Sequence, residues 1–170
     1  GGSAFLGCSS ITSATIPATV KVLGTDSGSM QNSYVFRDCT SLASVTFEDG
    51  IQLENLWSYA FAGCSSLESL TLPEGIKYIG ARILDGSAVK SFVIPASVTE
   101  IFNYAFADAK KLETVTFAAN SQISKIGFSA FQNTALKTFA FPEAQGDLII
   151  DSDGKLFSGC QQLTDLHLSS

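Results

Sequence analysis

The only histidine of the chain, His167, stands two residues after Asp165. With a serine or cysteine nearby, such a pair would supply the base and the orienting carboxylate of a hydrolytic site. Four cysteines, Cys8, Cys39, Cys64 and Cys160, are candidate metal ligands or redox groups, and the run from Asp147 to Gly154 contains the Asp-x-Asp-Gly of a calcium loop. None of these converges. Asp165 and His167 flank Leu166 in an alternating run whose inward residues are Leu166 and Leu168, which leaves the polar pair outside, on an edge strand without a pocket. No two cysteines have Cys-x-x-Cys spacing, and one histidine leaves a metal cluster short of soft ligands. The acidic run lacks the first Asp and the twelfth-position Glu of a calcium loop, so it reads as a solvated turn. No glycine-rich stretch joins a strand to a helix in the phosphate-binding arrangement. The expectation is a protein that is not an enzyme and holds neither cofactor nor metal.

The cysteines lead instead to the organisation of the chain. Cys8 closes Phe5-Leu6-Gly7-Cys8, Cys39 closes Phe36-Arg37-Asp38-Cys39, Cys64 closes Phe61-Ala62-Gly63-Cys64, and Cys160 closes Phe157-Ser158-Gly159-Cys160. All four occupy one position of an internal repeat. The anchors of that repeat are Phe5, Phe36, Phe61, Leu84, Phe106, Phe131 and Phe157, at intervals of 22 to 31 residues. An aliphatic residue follows each anchor and opens the pattern L-x-x-L-x-L, as in Leu67-Glu68-Ser69-Leu70-Thr71-Leu72. Its second half alternates strictly, the signature of a strand with one buried face. All 4 prolines, Pro17, Pro73, Pro95 and Pro142, directly follow such a run, where the missing N–H marks the exit from a sheet. A second apolar pair, such as Ile76 with Ile79 or Ile123 with Ile126, predicts a short extended segment on the opposite wall. The returning phrase, such as Ser58-Tyr59-Ala60-Phe61, predicts one turn of 3₁₀ helix. Cysteine shares its column with Ser87, Ala109 and Thr134 and reads as a small inward side chain. Cys39 and Cys64 lie in adjacent coils, close enough in principle for a disulfide, although free thiols fit the column better.

Composition agrees with a folded repeat. Of 170 residues 45% are hydrophobic and 15% charged, which excludes low-complexity disorder. Ten Lys and Arg against sixteen Asp and Glu leave a net charge of −6, the wrong sign for nucleic acid or an anionic membrane. Mean hydropathy is +0.25, yet no apolar run approaches the roughly 18 residues of a membrane span. The start at Gly1-Gly2-Ser3 reads as a mature or excised form. Phe5-Leu6-Gly7-Cys8 loosely resembles a lipobox, but the phrase recurs internally and belongs to the repeat. The expected fold class is α/β: a single leucine-rich-repeat solenoid domain over residues 1–170, of about six to seven coils. It has a parallel β-sheet on one face and short extended or 3₁₀ segments on the other. Beginning inside a repeat at Phe5 and ending just after Leu168, the chain reads as part of a longer array. Its uncapped ends are expected to self-associate weakly or fray.

The segment from Tyr59 to Leu84, with Asn103 to Phe117 and Phe128 to Ala144, strongly resembles the BspA-like class of bacterial leucine-rich repeats. Pro, Glu or Ala stands where the commoner leucine-rich pattern has Asn, as is usual in that class. The resemblance implies a secreted or surface-attached bacterial protein concerned with adhesion and protein binding, hence an extracellular location.

The phase of the repeat nominates a partner-binding face, outward on the strands and nearly uncharged: Ser44, Thr46, Ser69, Thr71, Ser91, Val93, Thr114, Thr116 and Thr138, then Asp165 and His167. The expected partner is a protein, with a glycan as the alternative; nucleic acid and membrane insertion are not expected. The alternative to binding is a structural spacer that presents other domains. The inserted residues from Gly24 to Ser33 extend the candidate surface, and Trp57 is expected to be wedged under a turn rather than offered to a partner. One column back, Glu68, Lys90, Glu113 and Lys137 alternate in sign and are expected to hold register.

Overall fold

Each coil carries two apolar stretches separated by turn residues, and neither stretch can be buried without a neighbouring coil. The computed structural model describes residues 2–24, 33–143, 146–151 and 154–168. In chain order the strands are β1 (Ser13–Ile16), β2 (Ser44–Phe47), β3 (Asn55–Leu56), β4 (Tyr78–Ile79), β5 (Ser91–Ile94) and β6 (Glu100–Ile101). They continue with β7 (Thr114–Phe117), β8 (Lys125–Ile126), β9 (Thr138–Ala140), β10 (Ile149–Ile150) and β11 (Asp165–His167). All pairings are parallel. The result is a parallel β-solenoid of leucine-rich-repeat type, with about five complete turns carrying a strand on the second wall.

The two walls differ. The second wall is one five-stranded sheet in the order β10-β8-β6-β4-β3, extended by a bridge between Leu23 and Leu56. It holds the short segments expected there and adds β10. Ile149 and Ile150 are therefore strand, not turn, which corrects the reading of the acidic run as a turn throughout. Ser152 and Asp153 of that run lie outside the described residues. The L-x-L wall forms three two-stranded sheets, β1-β2, β5-β7 and β9-β11. Residues 69–72 show the strand alternation, with Leu70 and Leu72 buried and Ser69 and Thr71 exposed, but they join no ladder. Ladder registers such as Ser13↔Ser44, Ser91↔Thr114 and Thr138↔Asp165 reproduce the columns of the sequence repeat.

No helix is found among the described residues, which corrects both the α component and the 3₁₀ return. The return is a file of single turns that also forms a ladder. In the coil of Phe61, Ala62 N–H donates to Tyr59 C=O and Cys64 N–H to Phe61 C=O. The alternate donors reach the next coil: Tyr59 to Ala81, Phe61 to Ile83 and Gly63 to Asp85, at 2.7–3.1 Å. Pointing every second N–H along the stack requires a reversal two residues after each anchor. There Gly7, Asp38, Gly63, Gly86, Asp108, Asn133 and Gly159 all have φ between 57° and 76°. Gly, Asp and Asn adopt that region at least cost and fill this column, while Tyr59, Arg82, Tyr104 and Ser129, two residues before their anchors, adopt it as well with φ of 52° to 60°. A helix would turn these donors inward on itself and leave the coils unbonded.

One core runs the length of the stack. Anchor rings stack in register, Phe5 on Phe36 and Phe36 on Phe61, then Phe106 on Phe131 and Phe131 on Phe157, with centroids 5.1–5.6 Å apart and planes within 13°. Leu84 is the aliphatic break between the two files. At the ends, Phe5 and Leu6 on one flank and Ile149, Leu166 and Leu168 on the other are exposed. Leu166 keeps the inward phase, paired with buried Phe139, but has a neighbour on one side only, so its expected burial is lost. Because Leu70 is 5% exposed while Thr71 is open, Leu70→Ala should cost about 2–5 kcal/mol and Thr71→Ala under about 1 kcal/mol in denaturant melts. Equal losses would show that residues 69–72 do not share the inward phase of the strands.

Candidate functional site

The outward strand positions come from alternation alone. All eleven nominated residues, Ser44, Thr46, Ser69, Thr71, Ser91, Val93, Thr114, Thr116, Thr138, Asp165 and His167, are solvent exposed. The ladders bring Ser91 beside Thr114, Val93 beside Thr116 and Thr138 beside Asp165. Ser69 and Thr71 stand apart. Among the described residues, residues 69–72 make no backbone–backbone hydrogen bond, so the strand wall opens on either side of them. A cleft of about 560 Å³ lies between β2 and residues 71–74, lined by Phe47, Glu48, Asp49, Ile51 and Glu74 among others. A second, of about 290 Å³, lies between residues 69–72 and β5. Glu48 and Glu74 at these clefts also cap turns of other coils, accepting from Ala18 N–H and from Ala96 and Ser97 N–H.

Asp165 and His167 do touch, Nε2 to Oδ2 at 3.0 Å, but both side chains are more than half exposed on β11. In register they face Thr138 and Ala140, neither of which is a nucleophile activated for attack. The alternating charges give one ion pair, Lys137 Nζ to Glu113 at 2.5 Å, whose hydrogen bond holds the Glu113 carboxyl below its usual range. The insertion residues 25–32 lie outside the described residues. Their flanks meet: a Cβ on Gly24 would strike Ser33 Oγ at 2.5 Å and Trp57 Cδ1 at 2.9 Å. Trp57 is thus half buried against the base of the insertion, with Nε1 buried and without a hydrogen-bond partner among the described residues.

Beyond volume filling, the cysteine column makes bonds. Cys39 Sγ–H donates to Phe5 C=O at 3.0 Å, Cys64 to Phe36 C=O at 3.0 Å and Cys160 to Phe131 C=O at 2.9 Å, each reaching the anchor of the preceding coil. All four cysteines are free. Burial pushes the Cys64 thiol up to about 12, with the neighbouring Cys39 adding to the shift. Such a thiol is a poor nucleophile at neutral pH.

Sequence reasoning missed the outer corner and return of the coils, where polar and aromatic side chains collect. Two residues before the anchors stand Tyr34, Tyr59, Arg82 and Tyr104, a column legible in the repeat alignment. Arg37 lies over the rings of Tyr34 and Tyr59 at 4.9 and 5.4 Å, and Arg82 over Tyr104 at 5.7 Å. Arg82 also pairs with Asp108 and Asp85, and Asn133 Nδ2 donates to Asp108 at 2.8 Å. Burial opposes ionisation of Asp108, but the bonds from Asn133 and Arg82 outweigh it and hold the carboxyl below its usual range; at Asp85 burial wins and raises it. At the corner after the second wall, large and absent side chains alternate: Trp57, Gly80, Phe102, Gly127. A Cβ on Gly80 would lie 2.5 Å from Ser58 N, and one on Gly127 2.7 Å from Phe102 C, so each glycine lets a coil close onto the bulky one before it. Ser58 Oγ then accepts from Ala81 N–H and Asn103 Oδ1 from Phe128 N–H.

A parallel solenoid whose L-x-L strands and return turns recur in register defines a leucine-rich-repeat protein of bacterial type. Residues 29–164 match the BspA type leucine rich repeat region in six copies, and the chain belongs to that family. Among solved structures it is similar to a leucine rich cell surface protein from Faecalibacterium prausnitzii, at 26% identity and TM-score 0.64 over 94% of this chain and 39% of that one. It is also similar to a T. pallidum leucine-rich-repeat protein, at 25% identity and TM-score 0.58 over 96% and 59%. A leucine-rich-repeat protein from Bacteroides ovatus, at 21% and TM-score 0.53 over 96% and 57%, shares the fold. The chain therefore spans between 39% and 59% of the length of each of these solved chains. No curated protein matches the sequence. No helix among the described residues is long and apolar enough to cross a membrane.

The raised Cys64 thiol carries a pH consequence. Its protonated form is favoured in the fold, so its stabilising share is whole below about pH 9, the ordinary thiol value, and is lost as pH rises toward about 12. Over that window wild type should lose up to about 1.4 kcal/mol per pH unit relative to Cys64→Ala, a change the alanine at position 109 shows the column accepts. Paired urea melts at pH 8 and 10.5 check it; parallel pH dependence in the two proteins would refute the assignment.

Proposed function

We propose that this chain is a non-enzymatic interaction module of a bacterial surface protein, binding an extracellular protein through its open strand face. The observation that carries the proposal is the break at residues 69–72. There exposed hydroxyls, backbone groups outside any ladder and two clefts share one wall. Unpaired strand edges favour binding of extended segments, because a partner's backbone can complete the missing bonds. The cell-surface description of the Faecalibacterium relative supports an extracellular setting, and the absence of any convergent catalytic geometry around Asp165 and His167 supports a binding role. Purified chain should bind one or more members of an array of extracellular proteins. A Ser69→Lys, Thr71→Glu, Thr116→Lys variant with unchanged melting should lose that signal at least tenfold. A signal unaffected by the triple change, or no binding to any arrayed protein, would overturn the proposal in favour of a spacer.

A second contact is supported by the bare flanks. Ile149, Leu166 and Leu168 beside the unpaired edges of β10 and β11 form a surface that another coil can extend, as can Phe5 and Leu6 at the opposite flank. The chain is proposed to self-associate weakly through these flanks. Light scattering with hydrogen exchange should show concentration-dependent mass and added protection in β11; a strictly monomeric chain would refute it.

A further inference from the structure

The outer corner holds a second cavity, remote in the coil from the strand face. It measures about 300 Å³, and its principal walls are Glu100, Phe102, Asn103, Tyr104, Lys125 and Phe128. It lies beside the corner where Gly80 and Gly127 let their coils close at the backbone, since a Cβ on either would strike the preceding coil; Ser58 and Ala81 complete the lining. Three aromatic rings are left partly exposed around that space. Phe102 is backed by Tyr78, stacked at 5.9 Å, and Phe128 meets Tyr104 edge to face at 4.9 Å, so the rings are held in place before any ligand arrives.

Polar groups converge on the same space. Lys125 Nζ lies 2.9 Å from Glu100 Oε1, a half-exposed ion pair that leaves further donors on the ammonium and a second carboxylate oxygen. Asn103 spends Oδ1 on Phe128 N–H, and among the described residues its Nδ2 makes no hydrogen bond. The cavity thus offers flat apolar rings with one amide donor, one ammonium and one carboxylate, and its two charges cancel. An isolated cation would gain from the rings and Glu100 but be repelled by Lys125. An anion would meet Glu100, and a purely apolar group would cover the Asn103 amide N–H and the remaining sites of the Lys125–Glu100 pair without offering them a partner. A neutral polyhydroxylated ring meets every requirement: its C–H faces lie on the aromatics and its hydroxyls both donate and accept.

We propose that this corner binds a neutral pyranose, the exposed sugar of a glycan, between Phe102, Tyr104 and Phe128. The volume is at the low end of small-ligand cavities, about 300–1,000 Å³, which fits one sugar ring with the rest of a glycan running over the surface. This site differs from the strand face and stands or falls separately from it.

The test is an NMR titration of the folded chain with methyl glycosides of neutral hexoses and N-acetylhexosamines, with tetramethylammonium in a parallel series. Saturable shifts are expected for at least one neutral glycoside, confined to the rings of Phe102, Tyr104 and Phe128 and the Lys125 side chain. Lys125→Met and Phe128→Leu should each weaken that binding at least tenfold; Lys125 is outside the core, so its variant stays informative if the second unfolds. The strand-face triple variant should bind the glycoside unchanged. No saturable shift up to about 0.1 M glycoside, shifts elsewhere on the molecule, or binding of tetramethylammonium alone would overturn the proposal.

Discussion

Every peptide group in this solenoid that points along the stack has one source of a partner, the adjacent coil. A buried N–H or C=O left unpaired costs on the order of 1–3 kcal/mol, so the chain must present its donors to its neighbours once per turn, in register. Two rows serve this over the central coils: the five-stranded second wall, and the return, where alternate residues bond to the next coil and the others close local turns, except in the coil of Leu84, where the consecutive Arg82 and Ile83 reach onward. The left-handed residue two places after each anchor is the device that makes the return work. Gly, Asp and Asn recur there because the backbone direction admits few other residues.

Register then decides the side chains. Equivalent residues of successive coils stack on one another, which places Phe on Phe through the core and lets each buried thiol reach the carbonyl of the anchor before it. Where a column has no room, the neighbour gives way: glycine follows Trp57 and Phe102, so bulk is matched by absence rather than by another apolar group. The strand wall is the one that yields. Its ladder is broken around residues 69–72 and again between β7 and β9, while the second wall stays continuous, and the first break leaves clefts on the face proposed to bind a partner. Both proposed binding surfaces are therefore by-products of stacking, one where a ladder opens and the other beside a corner where coils close at the backbone.

The repeat, its phase and the direction of the L-x-L strand residues were legible in the chain because a period-2 pattern repeated seven times admits one inward face. Prolines after the strands fixed the exits, and the family followed from the same phrases. The corner cavity was not legible, although Trp57, Gly80, Phe102 and Gly127 fall in one column of the repeat. Reading each aromatic alone hides the reciprocity between bulk in one coil and glycine in the next. The turn form of the return was likewise obscured, since short runs of small residues suit 3₁₀ turns equally well until hydrogen bonds to the neighbour are considered. The recurring Gly, Asp or Asn after each anchor was the available signal.

By itself, then, the sequence determined the stack: which residues face inward, where each coil leaves its strand, and that adjacent coils must pair in parallel. These are consequences of local alternation and backbone chemistry, which every repeat states again. Only the tertiary structure decided which ladders close and which open, and where bulk in one coil meets a glycine in the next. Those outcomes depend on how coils of 22 to 31 residues, with unequal side chains in shared columns, accommodate one another. That is a property of neighbours in contact, and no single repeat contains it.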